Sequence, residues 1–437
     1  MFLKRRFYLC SVLAIVLLAA GYFLPAIFIA GKILLALIIL LIISDIVLLW
    51  HKKRPAGADR NCAPRFSNGD NNDVRIVIEN CYPFAVMMEI IDEIPVVFQR
   101  RDILFKTRIK AGGREIIRYQ LRPVRRGVYD FGHVMLYIST RIGFVSRRIR
   151  TASKLDVAVY PSYIMLHKYE FLAIHNNLTE LGIKKIRRRG NNTEFESIKE
   201  YTRGDDYRTI NWKASARRHF PMVNVWQDER SQQIYSIIDK GRIMQSAFRG
   251  MTLLDYAINA SLVLSFVAIR KDDKAGIATF AEDFETFIPA GKQAGQMQRI
   301  LESLYRQQTT FGESDYSALY VNINKYISKR SLLIIYTNFD TLTGMERQLG
   351  YLRQLTRRHV VLTVFFEDVE MKEFAARRPT SIEGYYEQVI ADKFIHDKSL
   401  VAMHLRQFGI YTLLTEPENL SVNLINKYLE MKARGVL

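Results

Sequence analysis

Two apolar runs fill most of the first fifty residues, and no other feature limits the fold of this chain so strongly. Phe7–Leu24 carries no charge, and Ile33–Trp50 is interrupted only by Asp45. Each run is about eighteen residues, near the ~20 that a helix needs to cross a ~30 Å hydrocarbon core. Pro25, Gly31 and Lys32 lie between them and predict a breaker with a polar tip, hence a helical hairpin. Lys4, Arg5 and Arg6 precede the first run; His51, Lys52, Lys53 and Arg54 follow the second. The excess of positive charge at both flanks predicts that both ends of the hairpin, and everything after residue 55, face the cytoplasm. A cleaved signal peptide is disfavoured, because a second apolar run follows at once. Asp45 is expected to lie close enough to the membrane surface to be hydrated; the sharper alternative makes it an intramembrane partner-binding residue.

The whole chain of 437 residues is too long for one ordinary core and predicts several domains. Its formal charge of +19 suits nucleic acid, anionic lipid or an acidic protein partner. Two of the basic runs flank the apolar segment, so membrane and partner electrostatics account for the charge without DNA. The densest soluble run, Lys184–Arg189, lacks the interleaved aromatics of a nucleic-acid strand site. The three cysteines, Cys10, Cys62 and Cys81, form no CxxC and no Cys/His cluster, so neither a disulfide framework nor a zinc site is indicated.

Residues 55–165 are expected to form a β-rich, sandwich-like domain. Val74–Glu79, Ala85–Asp92, Glu115–Leu121 and His133–Ser139 alternate or run apolar, with turn formers between them at Asn68-Gly69-Asp70, Ala111-Gly112-Gly113 and Arg125-Arg126-Gly127. Residues 166–230 read as a linker. From 231 to 437 strand and helix patterns alternate: strands at Ile234–Ile238, Ala275–Phe280, Phe284–Ile288, Leu332–Tyr336, Val360–Phe366 and Ile410–Leu414, with helices at Leu253–Arg270, Gln296–Arg306, Tyr316–Ser328 and Met345–Arg358. That rhythm predicts a mainly parallel, doubly wound α/β sheet, whose ligands bind at the carboxyl ends of the strands.

Two strand ends hold polar residues, Asp239-Lys240-Gly241-Arg242-Ile243 and Thr337-Asn338-Phe339-Asp340, with the loop Thr309–Asp315 between them in sequence. This arrangement resembles the metal-ion-dependent adhesion site of a von Willebrand factor A-like domain. The resemblance implies Asp239, Ser314 and Asn338 as the metal ligands, and Mg²⁺ as the ion, held by hard oxygen donors. Gly241 and Ile243 stand where the two hydroxyls of that site belong. The degenerate set is therefore expected to bind Mg²⁺ weakly or not at all, with Asp239 capping the following turn.

The stretch before this domain is the most specific in the chain. Residues 194–217 read EFESIKEYTRGDDYRTINWKASAR, and 223–230 read VNVWQDER. Together with Arg125-Arg126-Gly127-Val128-Tyr129 and the amino-terminal hairpin, they resemble the bacterial family called domain of unknown function fifty-eight. Asn211 departs from the Asp usual there, and Arg218 from Thr. The resemblance implies an inner-membrane protein that acts beside a MoxR-type AAA+ ATPase and other envelope proteins. Arg203, Gly204, Asp205, Asp206, Arg208, Trp212, Lys213 and Arg217 are the motif residues. They are read first as a buried or half-buried salt-bridged network anchored on Trp212, and second as a docking surface.

The functional expectation is a membrane-anchored, non-enzymatic adaptor or chaperone-like protein, with no nucleic acid and no cofactor. No GxxxxGK[ST] loop is present, so ATP hydrolysis must come from the partner. The alternative is a metal-dependent hydrolase or nuclease using Asp239, Asp340 and the Asp205–Asp206 pair. An extracytoplasmic adhesion module would require the reverse topology.

Overall fold

The computed structural model describes the chain except for residues 99, 101–102, 153, 165, 167–193, 203–206, 208–209, 219, 228–230, 340 and 380. It is a mixed α/β structure with several sheets, divided into two compact units, Met1–Tyr160 and Pro161–Leu437.

The first unit begins with a short strand β1 (Phe2–Leu3), then α1 (Arg5–Ala20) and α2 (Pro25–Trp50). The turn lies at 21–24, earlier than expected, and Pro25 opens the second helix because its missing N–H costs nothing at a first helical position. Gly31 is not a breaker but a packing residue: a Cβ there would stand 2.9 Å from the Leu18 side chain, as one on Gly21 would stand 2.6 Å from the Phe28 Cα. Small residues thus let the two helices close on each other. The 26 residues of α2 extend about 39 Å, enough to cross a bilayer, whereas the 16 of α1 reach about 24 Å. Among the described residues α2 is a candidate membrane span; the shorter and less apolar Leu253–Arg270 is also long and apolar enough but is mostly buried in the second unit.

Strands β2 (Ala56–Cys62), β3 (Arg65–Ser67), β4 (Asn72–Asn80), β5 (Val86–Asp92), β6 (Leu104–Ile109), β7 (Arg114–Leu121), β8 (Gly127–Phe131), β9 (Val134–Ser139), β10 (Val145–Thr151) and β11 (Leu155–Tyr160) complete this unit. They form sheets β1-β10-β9-β5-β6, β2-β4-β7 and β3-β11-β8. Alternation puts Val74, Ile76 and Ile78 of β4 with Met88 and Ile90 of β5 and Leu136 and Ile138 of β9 in one apolar core. In the Arg-Arg-Gly-x-Tyr turn Gly127 takes φ 143°, and the Tyr129 hydroxyl donates back to the Arg125 carbonyl at 3.1 Å.

The hairpin is built into this β-rich layer. Phe2 pairs with Ser146 across β1 and β10, the Tyr82 hydroxyl donates to the Leu49 carbonyl, and the Arg147 guanidinium donates to the carbonyls of Leu49 and Lys52. Asp45 overturns the hydrated reading. It is fully buried and accepts hydrogen bonds from the Thr140 hydroxyl and from the Phe144 and Val145 amides, at 2.9 and 3.2 Å for the amides. A carboxylate in an apolar helix is tolerable here because the 140–145 loop supplies the donors that water would otherwise give.

In the second unit β12 (Glu194–Glu200), α3 (Trp212–Arg218) and β13 (Met222–Gln227) lead into β14 (Gln233–Asp239), α4 (Leu253–Arg270), β15 (Lys274–Phe280) and β16 (Phe284–Gly291). Then come α5 (Gln296–Tyr305), α6 (Tyr316–Tyr326), β17 (Leu332–Tyr336), α7 (Leu342–Thr356) and β18 (Val360–Phe366). Helices α8 (Val369–Ala375) and α9 (Ile382–Gln407), β19 (Tyr411–Thr415) and α10 (Leu420–Ala433) finish the chain. The last six strands order as β16-β15-β14-β17-β18-β19, parallel except for the edge strand β16. Parallel strands covered by helices on both faces need apolar residues throughout. Leu332–Tyr336 and Val360–Phe366 accordingly have every residue buried.

His359, immediately before β18, is buried, and its ring nitrogens have no hydrogen-bond partner among the described residues. Burial, helped by Arg358, pushes its pKa down to about 4. It is therefore neutral in the fold, whereas the unfolded chain takes up the proton near pH 6.5. Its contribution is complete above that pH and is lost as the pH falls toward 4. We expect thermal stability to drop over that window by up to about 3 kcal/mol, and His359→Gln to remove this part of the pH dependence. Identical pH profiles for parent and variant would refute the assignment.

Candidate functional site

Strand β14 ends on Asp239, which the sheet delivers, fully buried, to the carboxyl edge of the central strands. Its Oδ1 accepts from the Ser314 hydroxyl at 2.5 Å and the Gly241 amide at 2.8 Å. Its Oδ2 accepts from the Thr337 hydroxyl at 2.8 Å and the Tyr316 hydroxyl at 3.3 Å, and those two hydroxyls lie 2.8 Å apart. Burial pushes the carboxyl above its ordinary range, and the four donors, led by Ser314, pull it partly back.

Gly241 makes this closure possible. A Cβ at that position would fall 1.9 Å from the Ser314 oxygen and 3.0 Å from the Asp239 Oδ1. The Ser314 hydroxyl thus fills the volume that a serine side chain at 241 would need. Lys240, equally buried, turns away to pair with Glu285 and donate to the Gln308 carbonyl at 2.8 Å. The Thr309 hydroxyl donates to the Lys240 carbonyl at 2.6 Å, tying the 309–315 loop to the end of β14.

Of the three expected ligands, Asp239 and Ser314 meet, and Asn338 does not join them. Its Oδ1 accepts instead from Lys398 on α9 at 3.4 Å. Thr337, one residue earlier, is the strand-exit residue that turns toward Asp239, and Tyr316 reaches the same carboxylate from the first turn of α6. Among the described residues, a divalent cation at this point would find one carboxylate, Asp239, with the hydroxyls of Ser314, Thr337 and Tyr316 bonded to it. Among the described residues no group of three or more His, Cys, Asp or Glu side chains gathers in a way that suits a metal. Asp340 lies outside the described residues.

Above Asp239 opens a cavity of about 310 Å³, lined by Arg242, Ser314, Tyr316, Asn338, Thr341 and Arg347 among others. The N-termini of α6 and α7 border it, capped by the side chains of Asp315 and Thr341. The lining carries both signs of charge, Arg242 and Arg347 beside Glu313.

The sequence motif divides differently from expectation. Arg203, Gly204, Asp205, Asp206 and Arg208 lie outside the described residues, as do Lys184–Arg189 and Glu229-Arg230. Trp212 is 75% exposed, and Lys213 and Arg217 are exposed with it, so these three do not form a buried network. The reason is local. Helix α3 is held to β13 by its small polar face, leaving the Trp face outward. Asn211 Oδ1 accepts from the Ala214 amide at 3.0 Å, its Nδ2 donates to Asn224 at 2.8 Å, and the Ser215 hydroxyl accepts from the Met222 amide at 2.8 Å. Tyr207 and Phe220, flanking this helix, are also more than 60% exposed.

A conserved hypothetical protein, BatB from Bacteroides thetaiotaomicron, aligns with 46% of this chain and 99% of its own at 14% identity, with a TM-score of 0.32. The CARDB domain of PF1109 from Pyrococcus furiosus aligns with 24% of this chain and 86% of its own at 9% identity and a TM-score of 0.17. The uncharacterized protein YeaD of Bacillus subtilis (strain 168) is 24% identical over 169 residues, which is 39% of this chain and 40% of that relative's length. Residues 197–377, from β12 to α8 and including Asp239 and its four donors, match the family model described as Protein of unknown function DUF58.

Proposed function

We propose that this chain is a membrane-anchored, non-enzymatic adaptor whose second unit is a von Willebrand factor A-like domain that grips protein partners. The carrying observation is the state of Asp239: the strand-end carboxylate, which a hydrolase would use as base or metal ligand, is enclosed by four donors of its own chain. A carboxylate whose oxygens all accept from its own chain is suited to positioning loops. The sheet order, with its antiparallel edge at β16 and Asp239 leaving the first strand, supports the A-like reading. The exposed Trp212, Tyr207 and Phe220 beside Lys213 and Arg217 support protein docking, since aromatics and arginine dominate such contacts. In this reading the basic flanks of the hairpin hold both ends on the cytoplasmic side of a bacterial inner membrane, and an AAA+ ATPase of the MoxR type supplies the energy.

Co-purification tests it. The detergent-solubilised full chain is expected to retain a MoxR-type ATPase from the same genome. Trp212→Ala and Arg217→Glu are each expected to cut retention about tenfold or more. Undiminished capture by both variants would overturn the proposal.

A further inference from the structure

The hairpin and the β-rich layer of the first unit meet at a depth that helix length fixes. From Pro25 to Asp45 helix α2 rises about 30 Å, the whole thickness of a hydrocarbon core. Lys32, the one cation of this helix, bends back over the Phe28 ring toward the tip, 4.4 Å from its centroid. A core that began at Lys32 instead of Pro25 would set Asp45 only deeper. Asp45 holds the Phe144 and Val145 amides, and the Arg147 guanidinium donates to the Leu49 carbonyl at 2.6 Å, so β10 climbs beside the last turn of α2. The 140–145 loop therefore stands where hydrocarbon ends and headgroups begin. The start of α1 stands there with it, because Leu3 pairs with Val145 and the Lys4 amide donates to the Phe144 carbonyl at 2.9 Å.

Charge selects what fills that level. Residues 1–6, 51–54 and 140–150 include no Asp or Glu. Lys4 is paired with Glu89 at 3.3 Å, and Arg6 donates to the carbonyls of Arg141 and Ile142, both at 3.1 Å. Arg5 and Arg141 are exposed, and among the described residues neither enters an ion pair. A guanidinium matches the oxygens of a phosphate through two parallel N–H bonds. Trp50, half-exposed with the Arg147 guanidinium 5.3 Å over its ring, is the amphipathic aromatic that the edge of a membrane favours.

We propose that the 140–145 loop and the start of α1 lie within the headgroup layer and hold an anionic phospholipid there through the guanidinium groups of Arg5, Arg6 and Arg141. Free phosphate offers the same oxygens but is not confined to that level. The inference rests on the membrane anchoring in the proposed function and on no other part of it.

The test places the full chain in vesicles of equal phosphatidylcholine and phosphatidylglycerol and counts the lipids that stay bound by native mass spectrometry. The parent is expected to keep phosphatidylglycerol in preference. Arg5→Gln with Arg141→Gln is expected to lower the ratio of the two lipids about tenfold, with unchanged thermal stability because both side chains are exposed. Arg150→Gln with Lys154→Gln removes the same charge from the far end of the layer and is expected to leave the ratio unaltered. Arg150 lies about 17 Å along β10 from Val145, beyond the ~10 Å over which salt screens a charge. Flotation with pure phosphatidylcholine vesicles reads the anchor separately, and a chain that does not insert removes the anchoring and the inference together. Insertion with equal retention of both lipids, or a ratio that falls as far in the distal pair as in Arg5→Gln with Arg141→Gln, overturns the inference alone.

Discussion

Replacing Asp239 with alanine is expected to cost about 4 kcal/mol in the stability of the second unit, and replacing it with asparagine only 1–2 kcal/mol. The asymmetry follows from the donors. Alanine leaves the Ser314 hydroxyl and the Gly241 amide without their acceptor and the Thr337 and Tyr316 hydroxyls with only each other, and unmatched buried donors cost about 1–3 kcal/mol each before relaxation. Asparagine keeps one oxygen for Ser314 and Gly241, and its amide faces two hydroxyls that can rotate to accept. Ser314→Ala removes a single donor and is expected to cost about 1 kcal/mol. Gly241→Ser, which would bring back one missing hydroxyl, is expected to be worse than Ser314→Ala. Its Cβ collides with the Ser314 oxygen, and the glycine is required by the hydroxyl that has taken its place. Chemical denaturation followed by hydrogen exchange in β14 and β17 reads these effects. If Asp239→Ala stays within 1 kcal/mol of the parent, the carboxylate is not the keystone of the strand ends.

The contrast between strand and exit explains what could be read from residues alone. Runs such as Leu332–Tyr336 and Val360–Phe366, the second broken only by Thr363, announce buried parallel strands, because a sheet covered on both faces needs apolar residues on both sides of each strand, and both match to the residue. The placing of Asp239 at a strand end follows from the same pattern. The choice between Thr337 and Asn338 does not, since one residue of phase beyond a strand decides which side chain turns inward. The exchange of a serine at 241 for Ser314 joins positions 73 residues apart and is visible only once the loop is folded back. Helix α9 was hidden for another reason. Its outward face carries the apolar residues, so its pattern points away from the core that periodicity is used to find. Trp212 misleads similarly: a tryptophan among charges reads as an anchor, yet the small polar residues Asn211 and Ser215 do the anchoring. Gly31 was legible as a glycine and misread as a turn, because close approach of two helices demands the same residue as a break in one.

Asp45 is where sequence logic and structure part most consequentially, and they predict opposite results. Were the carboxylate merely hydrated near the membrane surface, Asp45→Ala or Asp45→Leu would lengthen an apolar run and leave the protein unharmed or better inserted. In the structure the same carboxylate takes the Phe144 and Val145 amides and the Thr140 hydroxyl, and the Thr140 oxygen in turn accepts from the Ile142 amide at 3.2 Å. Removing it strands three donors where α2 meets the β-rich layer, while Leu49, Tyr82 and Arg147 continue to hold the last turn of the helix. The expected outcome is normal membrane insertion with a loosened joint. Amide exchange at Phe144 and Val145 should rise about a hundredfold, roughly 3 kcal/mol of lost protection, and the 140–145 loop should become a new site of proteolysis. Asp45→Asn, which keeps one acceptor oxygen, should fall between parent and alanine. Thr140→Val should reproduce a smaller part of the effect without touching the helix, which separates a lost hydrogen-bond joint from a change in hydrophobicity. Unaltered exchange at both amides in Asp45→Leu would show that the apolar packing of Leu49 and its neighbours suffices to join helix to sheet.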